Sequence, residues 1–574
     1  MKKYKLFSIL ATAAAFTFSM SSCYDLETAP ADKPSASTFF KTQAHADQAM
    51  AAVYSAMQLD HAFGFEFALD CLGGISMGYD GPSFQTFSTG NYTGTTGYLT
   101  NKWAHNYEGI TRANNFLQNI DGVDMAEDLK AQYKAEARFM RGLFYWNLTR
   151  FFGGVPYYDE TLNVGAEFNN MMNARETEDA IKAKVIADMD AAISSLPDAW
   201  DKANYGRATK WSALAFKGKI LLHQKKYSDA KTCFESIVNS GKFALYPDYA
   251  ELFKPGTGDE SSEMIFTVQN IGGVGLNFGM PMCFYMGTRS SYGSCWNNVM
   301  ASNTFVESYE WKDGKPFDWE EVIPGFTTSN DVKKATFRAT LETGNKAVKE
   351  YPAAKEKLLE MYANRDPRMA ASLILPYTNY LGWDGGKAFM KEYVVVPSQV
   401  PTGSGLLVVN GGKEQYLWRK FVPEADEGGI NNRADTPINF PLIRYADVLL
   451  MLAECYNEDD AKREDAIDLI NQVRARVDMP AINNGDAWMA ATSKDEVFAR
   501  IKHERAVELA AEGHSWDDMR RWGLFETLDG REEWSITGQK REYTRKVTSR
   551  DYLWPIPTAE IEKNPALLPN NPGW

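Results

Sequence analysis

Past its first two dozen residues the chain has no long hydrophobic run. A membrane-spanning helix needs about 20 apolar residues in succession, and only the stretch from Leu6 to Met20 comes near that. Histidine and cysteine are scarce, at six each in 574 residues. The cysteines show no CxxC and no Cys/His cluster with zinc spacing, so no metal site is expected. No GxSxG elbow, HExxH helix, P-loop or GxGxxG opening follows a strand-like run, which removes the usual hydrolase and nucleotide-binding signatures. Positive charge is the minority: 61 Lys and Arg against 75 Asp and Glu give a net charge of -14. Such a surface argues against nucleic acid and anionic lipid as partners. No Pro/Ser linker, charge block or low-complexity tract divides the chain either, so residues 23–574 read as one unit despite their length.

What is present begins with an address. Lys2, Lys3 and Lys5 precede the apolar run, and Ser21 and Ser22 close it, the pattern of a secretory signal peptide over residues 1–22. Its removal takes three lysines and no acid, which moves the charge from -14 to -17. Cys23 follows directly, as in a lipobox, and is the expected lipidation site. The acidic stretch Tyr24-Asp25-Leu26-Glu27 resembles a surface-export signal. Of the remaining cysteines, Cys71, Cys233, Cys283, Cys295 and Cys455, the pair Cys283 and Cys295 could bridge across a loop in an oxidising compartment. Buried free thiols are the expectation.

The mature chain alternates helical segments with long segments rich in Gly, Asn, Thr and aromatics. Ala135, Phe139, Leu143 and Trp146 are spaced 4, 4 and 3, and Leu442, Ala446, Leu449, Ala453 and Tyr456 are spaced 4, 3, 4 and 3. Each stripe buries one helix face. Residues 441–478 and 211–244 read as helical hairpins. In the second, Gly218, Ala230 and Phe234 stand 12 and 4 apart, like the small, small and aromatic positions of a tetratricopeptide repeat, with Leu214 and Leu221 in the first helix's aromatic positions. About four such pairs are expected, grouped near 38–153, 174–244 and 441–515. Loop-rich insertions fall near 61–100, 254–330 and 376–436. Phe152-Gly-Gly-Val-Pro156 reads as a helix stop.

Five segments, in order, carry a resemblance. Glu136-Ala-Arg-Phe-Met-Arg-Gly-Leu-Phe-Tyr-Trp-Asn-Leu-Thr-Arg-Phe-Phe-Gly-Gly-Val-Pro156 resembles the signature helix of the SusD/RagB family. So do Ser308-Tyr-Glu-Trp-Lys-Asp-Gly-Lys-Pro316, the run from Pro441 to Tyr456, the run from Glu504 to Gly523, and Leu553 to Pro565 with the terminal Asn571-Pro-Gly-Trp574. The resemblance implies a mainly α, SusD-like fold: tetratricopeptide-like helix pairs in a right-handed frame, with long loops and a few short strands. It also implies a surface lipoprotein of the outer membrane, anchored at Cys23, that captures a nutrient glycan for a SusC-like TonB-dependent transporter. Some relatives bind peptides instead. Ser515 stands where the family often has arginine, which puts a local salt bridge in question.

The charges of the signature segments, Glu136, Arg138, Arg141, Arg444, Asp447, Glu504, Arg505, Arg520 and Arg521, lie among apolar stripes and are expected to be paired within the frame. A ligand is expected on the loops. The aromatic-rich stretches 61–100 and 271–298 offer flat rings for the C–H face of a pyranose, and their amides, carboxylates and guanidinium offer forks for its hydroxyls. Tyr79, Tyr92, Tyr285, Arg289, Tyr292 and Trp296 are the candidate contacts, whereas Phe278 and Phe284 read as core. The rival class is a glycoside hydrolase, which needs two carboxylates about 5–10 Å apart. A helical scaffold that binds protein alone is a third. No catalytic residue and no cofactor is expected. His223, His503 and His514 fall in framework helices, as satisfied core histidines.

Overall fold

The computed structural model describes residues 39–80, 84–162, 167, 171–273 and 279–574. The signal peptide, Cys23 and Phe278 lie outside the described residues. Eight helices build the frame: α1 (Gln43–Ser55), α2 (Gly97–Asn119), α3 (Glu127–Phe152), α4 (Glu178–Ser195), α5 (Lys210–His223), α6 (Tyr227–Asn239), α7 (Tyr445–Asn457) and α8 (Arg463–Ala475). They pair as α1 with α2, α3 with α4, α5 with α6 and α7 with α8. Each pair also packs on the next, α2 against α3, α4 against α5 and α6 against α7. Two further helices, α9 (Lys494–Glu508) and α10 (Ser515–Arg521), follow, and α9 closes the stack against α7 and α8.

The repeat residues work as their spacing requires. Phe234 and Ala230 are fully buried, and a Cβ at Gly218 would lie 2.6 Å from the Phe234 ring. Glycine lets α5 and α6 approach until that ring fills the gap. α3 ends at Gly153, whose positive φ of 66° suits glycine; a Cβ on Gly154 would lie 2.1 Å from the Glu176 carbonyl oxygen.

Between α6 and α7 the chain leaves the stack for some two hundred residues and returns to the same place. A strand pair closes the excursion: β2 (Met264–Val268) runs antiparallel to β6 (Phe440–Arg444), with Val268 opposite Phe440 and Met264 opposite Arg444. This corrects the expected hairpin at one end, because Leu442 lies on a strand and the helix begins at Tyr445. Strand pairing satisfies the backbone where the insertion rejoins the frame, and that outweighs the helical spacing of the sequence.

Buried ion pairs pin the insertion down. Arg444 Nη1 reaches Glu263 at 2.6 Å and Glu508 at 2.7 Å, and its Nη2 reaches Glu512 at 2.7 Å, all at 0% side-chain exposure. Arg368 pairs with Asp366, Glu504 and Glu508, Arg474 with Glu310 and Glu504, and Lys420 with Glu512. Burial alone would raise the Glu508 carboxyl, but Arg476, Arg444 and Arg368 hold it far below the usual range. Asp447 is lowered likewise: Lys219, Arg505 and His514 outweigh its burial. Glu136 meets Arg207, Arg141 meets Asp188, Arg505 meets Asp518, Arg520 meets Asp517 and Arg521 meets Glu454; Arg138 lies near the surface, 3.8 Å from Glu160. Ser515 makes no ion pair; its hydroxyl donates to the buried Asp70 at 2.6 Å.

Candidate functional site

One short strand pair brings distant loops together. β1 (Ser76–Gly78) and β3 (Val299–Ala301) are antiparallel, with Gly78 opposite Val299. The register sets Tyr79 beside Asn298: the Tyr79 N–H donates to the Asn298 carbonyl at 2.8 Å, and Asn298 Nδ2 donates to Asp80 Oδ2 at 2.5 Å. Tyr79 and Trp296 are 41% and 40% exposed, unusual for rings of their size.

The stretch from Met282 to Asn298 folds back on itself. The helical turn Met282–Met286 carries Phe284 and Tyr285; the chain then loops outward and returns, so that the Trp296 N–H donates to the Phe284 carbonyl at 3.2 Å. The two rings lie 5.0 Å apart at 39°, and Tyr285 meets Phe284 edge-on at 4.9 Å. Phe284 is therefore half-buried beneath Trp296 and not in the core, which corrects the expectation for it. The Arg433 guanidinium lies 4.8 Å from the Phe284 centroid and donates to the Gly293 and Ser294 carbonyls at 2.9 and 2.6 Å. Asn410 ties the face together, accepting from Arg289 Nε at 3.1 Å and donating to the Trp296 carbonyl at 3.3 Å.

A hairpin completes the site. β4 (Asn379–Asp384) and β5 (Lys387–Tyr393) are joined by Gly385 and Gly386, both at positive φ, as a two-residue turn demands. At its end the Trp383 N–H donates to the Ser290 carbonyl at 2.6 Å, and a Cβ on Gly382 would lie 2.5 Å from that oxygen. Glycine at 382 thus lets the hairpin seat against the loop. Between them lies a cleft of about 410 Å³, lined by Arg289, Tyr292, Trp383, Asp384, Lys391 and Gln399 among others. The Tyr292 and Trp383 rings stand 5.3 Å apart at 37°, and Lys391 pairs with Asp384 at 2.7 Å.

Beside this face, Lys413 is 7% exposed and places its Nζ 2.6 Å from the Tyr79 centroid. That nitrogen has no hydrogen-bond partner among the described residues. Burial lowers its pKa to about 7. Burial, with Asp60 and Asp80 nearby, raises the Tyr285 hydroxyl. The assembled groups offer two exposed rings, a tilted ring pair in a cleft, and amide, carboxylate and guanidinium groups at the margins. They can stack on a ring with a C–H face and fork onto hydroxyls. Among the described residues, no group of three or more His, Cys, Asp or Glu could hold a metal ion.

Five of the six candidates, Tyr79, Tyr285, Arg289, Tyr292 and Trp296, meet here. Tyr92 does not: it is 4% exposed, its hydroxyl donates to Asp551 at 2.7 Å, and its ring packs against Phe87 and Trp574. Polar neighbours in sequence suggested exposure, but the C-terminal segment covers the ring. The stretch 61–100 is likewise less a loop than expected. Phe63, Phe65, Phe67, Phe84 and Phe87 are buried, and the stretch includes several short helical turns. Trp383, Gln399, Asn410, Lys413 and Arg433 went unnamed in the sequence reading, although the insertion 376–436 contains them all. The glycine pairs beside Trp383 and Asn410 mark turn tips and were the available signal. A larger cleft, about 1160 Å³ between α4, α5 and α6, is lined by groups such as Glu178, Lys182, Lys217 and Lys226 and by no Phe, Tyr or Trp. Volume alone therefore does not locate the site.

A stack of helix pairs whose loops gather an aromatic, amide-rich face is the class of protein this geometry defines. The chain belongs to the SusD family, whose model matches residues 262–574; a second model, described as starch-binding associating with outer membrane, matches residues 26–222. SusD-like protein P2 of Formosa agariphila is 26% identical over the full length of both chains. The starch-binding protein SusD of Bacteroides thetaiotaomicron is 22% identical, covering 80% of this chain and 76% of that one. Among solved structures, a SusD-like carbohydrate-binding protein from Bacteroides fragilis superposes with a TM-score of 0.73 at 25% identity, over 92% of this chain and all of the other. A laminarin-binding SusD-like protein gives 0.61 at 23% identity, over 93% of this chain and all of the other.

Proposed function

We propose that this protein is a cell-surface glycan-binding lipoprotein, held on the outer membrane by acylated Cys23, that passes an oligosaccharide to a TonB-dependent transporter and performs no chemistry on it. The observation that carries the binding reading is the meeting of the exposed rings of Tyr79 and Trp296 with Arg289, Asn410 and the Tyr292–Trp383 cleft, outside the ion-paired frame. Burying one ring stabilises a complex by about 1.5–3 kcal/mol, and micromolar to millimolar binding needs about 4–8 kcal/mol net, so two or three rings with hydrogen bonds suffice. The carbohydrate-binding relatives support the ligand class. The matched outer-membrane description and the lipobox at Cys23 support the location.

The test is an immobilised-glycan screen with mature protein lacking Cys23, followed by calorimetry and product analysis on any hit. An intact glycan bound with micromolar to millimolar affinity is the expected result. Cleavage of the glycan would make the protein a hydrolase, and binding confined to peptides would assign it to a peptide-binding branch. Loss of membrane association in Cys23→Ala, in cells, tests the anchor.

A further inference from the structure

We infer that Cys283 and Cys295 form a disulfide that clamps the ligand-binding loop. Their Sγ atoms lie 3.5 Å apart, both side chains are fully buried, and the two residues are only 12 apart in sequence. A disulfide bond of about 2.05 Å needs their approach by about 1.5 Å, within reach of side-chain rotation in so short a loop. The backbone already holds both ends together: the Cys295 N–H donates to the Thr288 carbonyl at 2.9 Å, the Gly287 N–H donates to the Cys283 carbonyl at 2.8 Å, and the Cys283 N–H donates to Thr436 Oγ1 at 2.8 Å. A Cβ on Gly287 would lie 2.4 Å from the Cys283 carbonyl oxygen and 3.1 Å from Cys295 Cβ, so glycine there lets the two ends close up.

The ring so closed carries Phe284, Tyr285, Arg289 and Tyr292, and Trp296 adjoins Cys295. Of the five candidates that meet at the site, all but Tyr79 thus lie in or beside one cross-linked loop. The other three cysteines of the described residues, Cys71, Cys233 and Cys455, show no such contact with one another and are expected to stay thiols. Two thiols lose two protons and two electrons in forming the bond. The acceptor is a disulfide-donor oxidoreductase of the export compartment. One thiolate attacks its disulfide and releases one donor thiol; the second thiolate then attacks the mixed disulfide and releases the other. Exchange occurs while the chain is still folding, because neither sulfur is exposed afterwards.

The clamp's effect on binding rests on the proposed ligand site; the bond itself does not. Protein lacking Cys23 and folded in an oxidising compartment is unfolded in guanidinium with excess iodoacetamide, with and without prior reduction, and weighed. Three labels without reductant and five with it are expected, peptide mapping joining Cys283 to Cys295. Five labels without reductant would overturn the bond. Calorimetry on a glycan that the parent binds is expected to show roughly three- to ten-fold weaker binding for the Cys283→Ser/Cys295→Ser double variant, because the loop's side chains must be ordered on binding. Cys71→Ser serves as the control. Unchanged binding in the double variant would refute the clamp while leaving the bond and the glycan reading intact.

Discussion

Replacing Trp296 with alanine isolates the contribution of one open ring. A tryptophan presents up to about 250 Å², and Trp296 keeps 40% of its surface exposed, which leaves roughly 100 Å² for a ligand. If a pyranose covers between half and all of it, at about 25 cal/mol per Å² the loss is about 1.2–2.5 kcal/mol, or roughly eight- to seventy-fold in Kd. The fold should survive, because the ring packs on Phe284 and Arg433, away from the buried ion pairs. Calorimetry against the glycan found in the screen gives the affinity, and thermal unfolding gives the stability. Adding Tyr292→Ala should deepen the loss through the cleft. Tyr92→Phe should leave affinity unchanged and cost about 1 kcal/mol of stability, as its buried bond to Asp551 is lost. An unaltered Kd in Trp296→Ala, with the protein folded, would refute the site.

Three further predictions concern stability. Arg444→Met removes the cation shared by the buried Glu263, Glu508 and Glu512, leaving Arg476, Arg368 and Lys420 to pair with three carboxylates, and should destabilise by about 3–5 kcal/mol, read by urea unfolding. Lys413 is lowered by burial to about 7, against about 10.4 when unfolded. The unfolded chain therefore binds the proton more tightly, and the fold bears the full penalty below pH 7 and sheds it as pH rises towards 10. Lys413→Met should be the more stable protein at pH 7, by about 2 kcal/mol after allowance for partial solvation, and the gain should shrink at pH 9.5; equal unfolding curves at pH 7 would refute this. Gly73→Ala would set a Cβ 2.0 Å from Ser515 Oγ and 2.5 Å from the Trp516 backbone nitrogen, so its melting temperature should drop by several degrees.

Local spacing determined much of this protein. The 3.6-residue stripes specify the helices, and Gly218, Ala230 and Phe234 specify how closely two of them pack, because those properties depend on residues a turn or two away. The charges among apolar residues announced that they would be paired, since an isolated buried charge is too costly to keep. Leu442 was misread because its partner strand lies some 175 residues earlier, beyond the reach of any periodicity. Tyr92 failed for the same reason: what covers it, Trp574 and Asp551, comes from the far end of the chain. The loops bearing Tyr285, Arg289, Tyr292 and Trp296 could be chosen from composition, as rings beside polar and small residues.

Only the tertiary structure decided which of those rings meet. The β1–β3 pair carries Tyr79 to Asn298, the Gly385–Gly386 turn presents Trp383 to Tyr292, and Asn410 links Arg289 to the Trp296 backbone. These contacts join segments tens to hundreds of residues apart, and their geometry follows from strand register and buried ion pairs. The sequence thus determined the frame and the chemical character of the loops, whose causes are local. The folded chain alone decided the shape of the site, because that shape is a sum of long-range contacts.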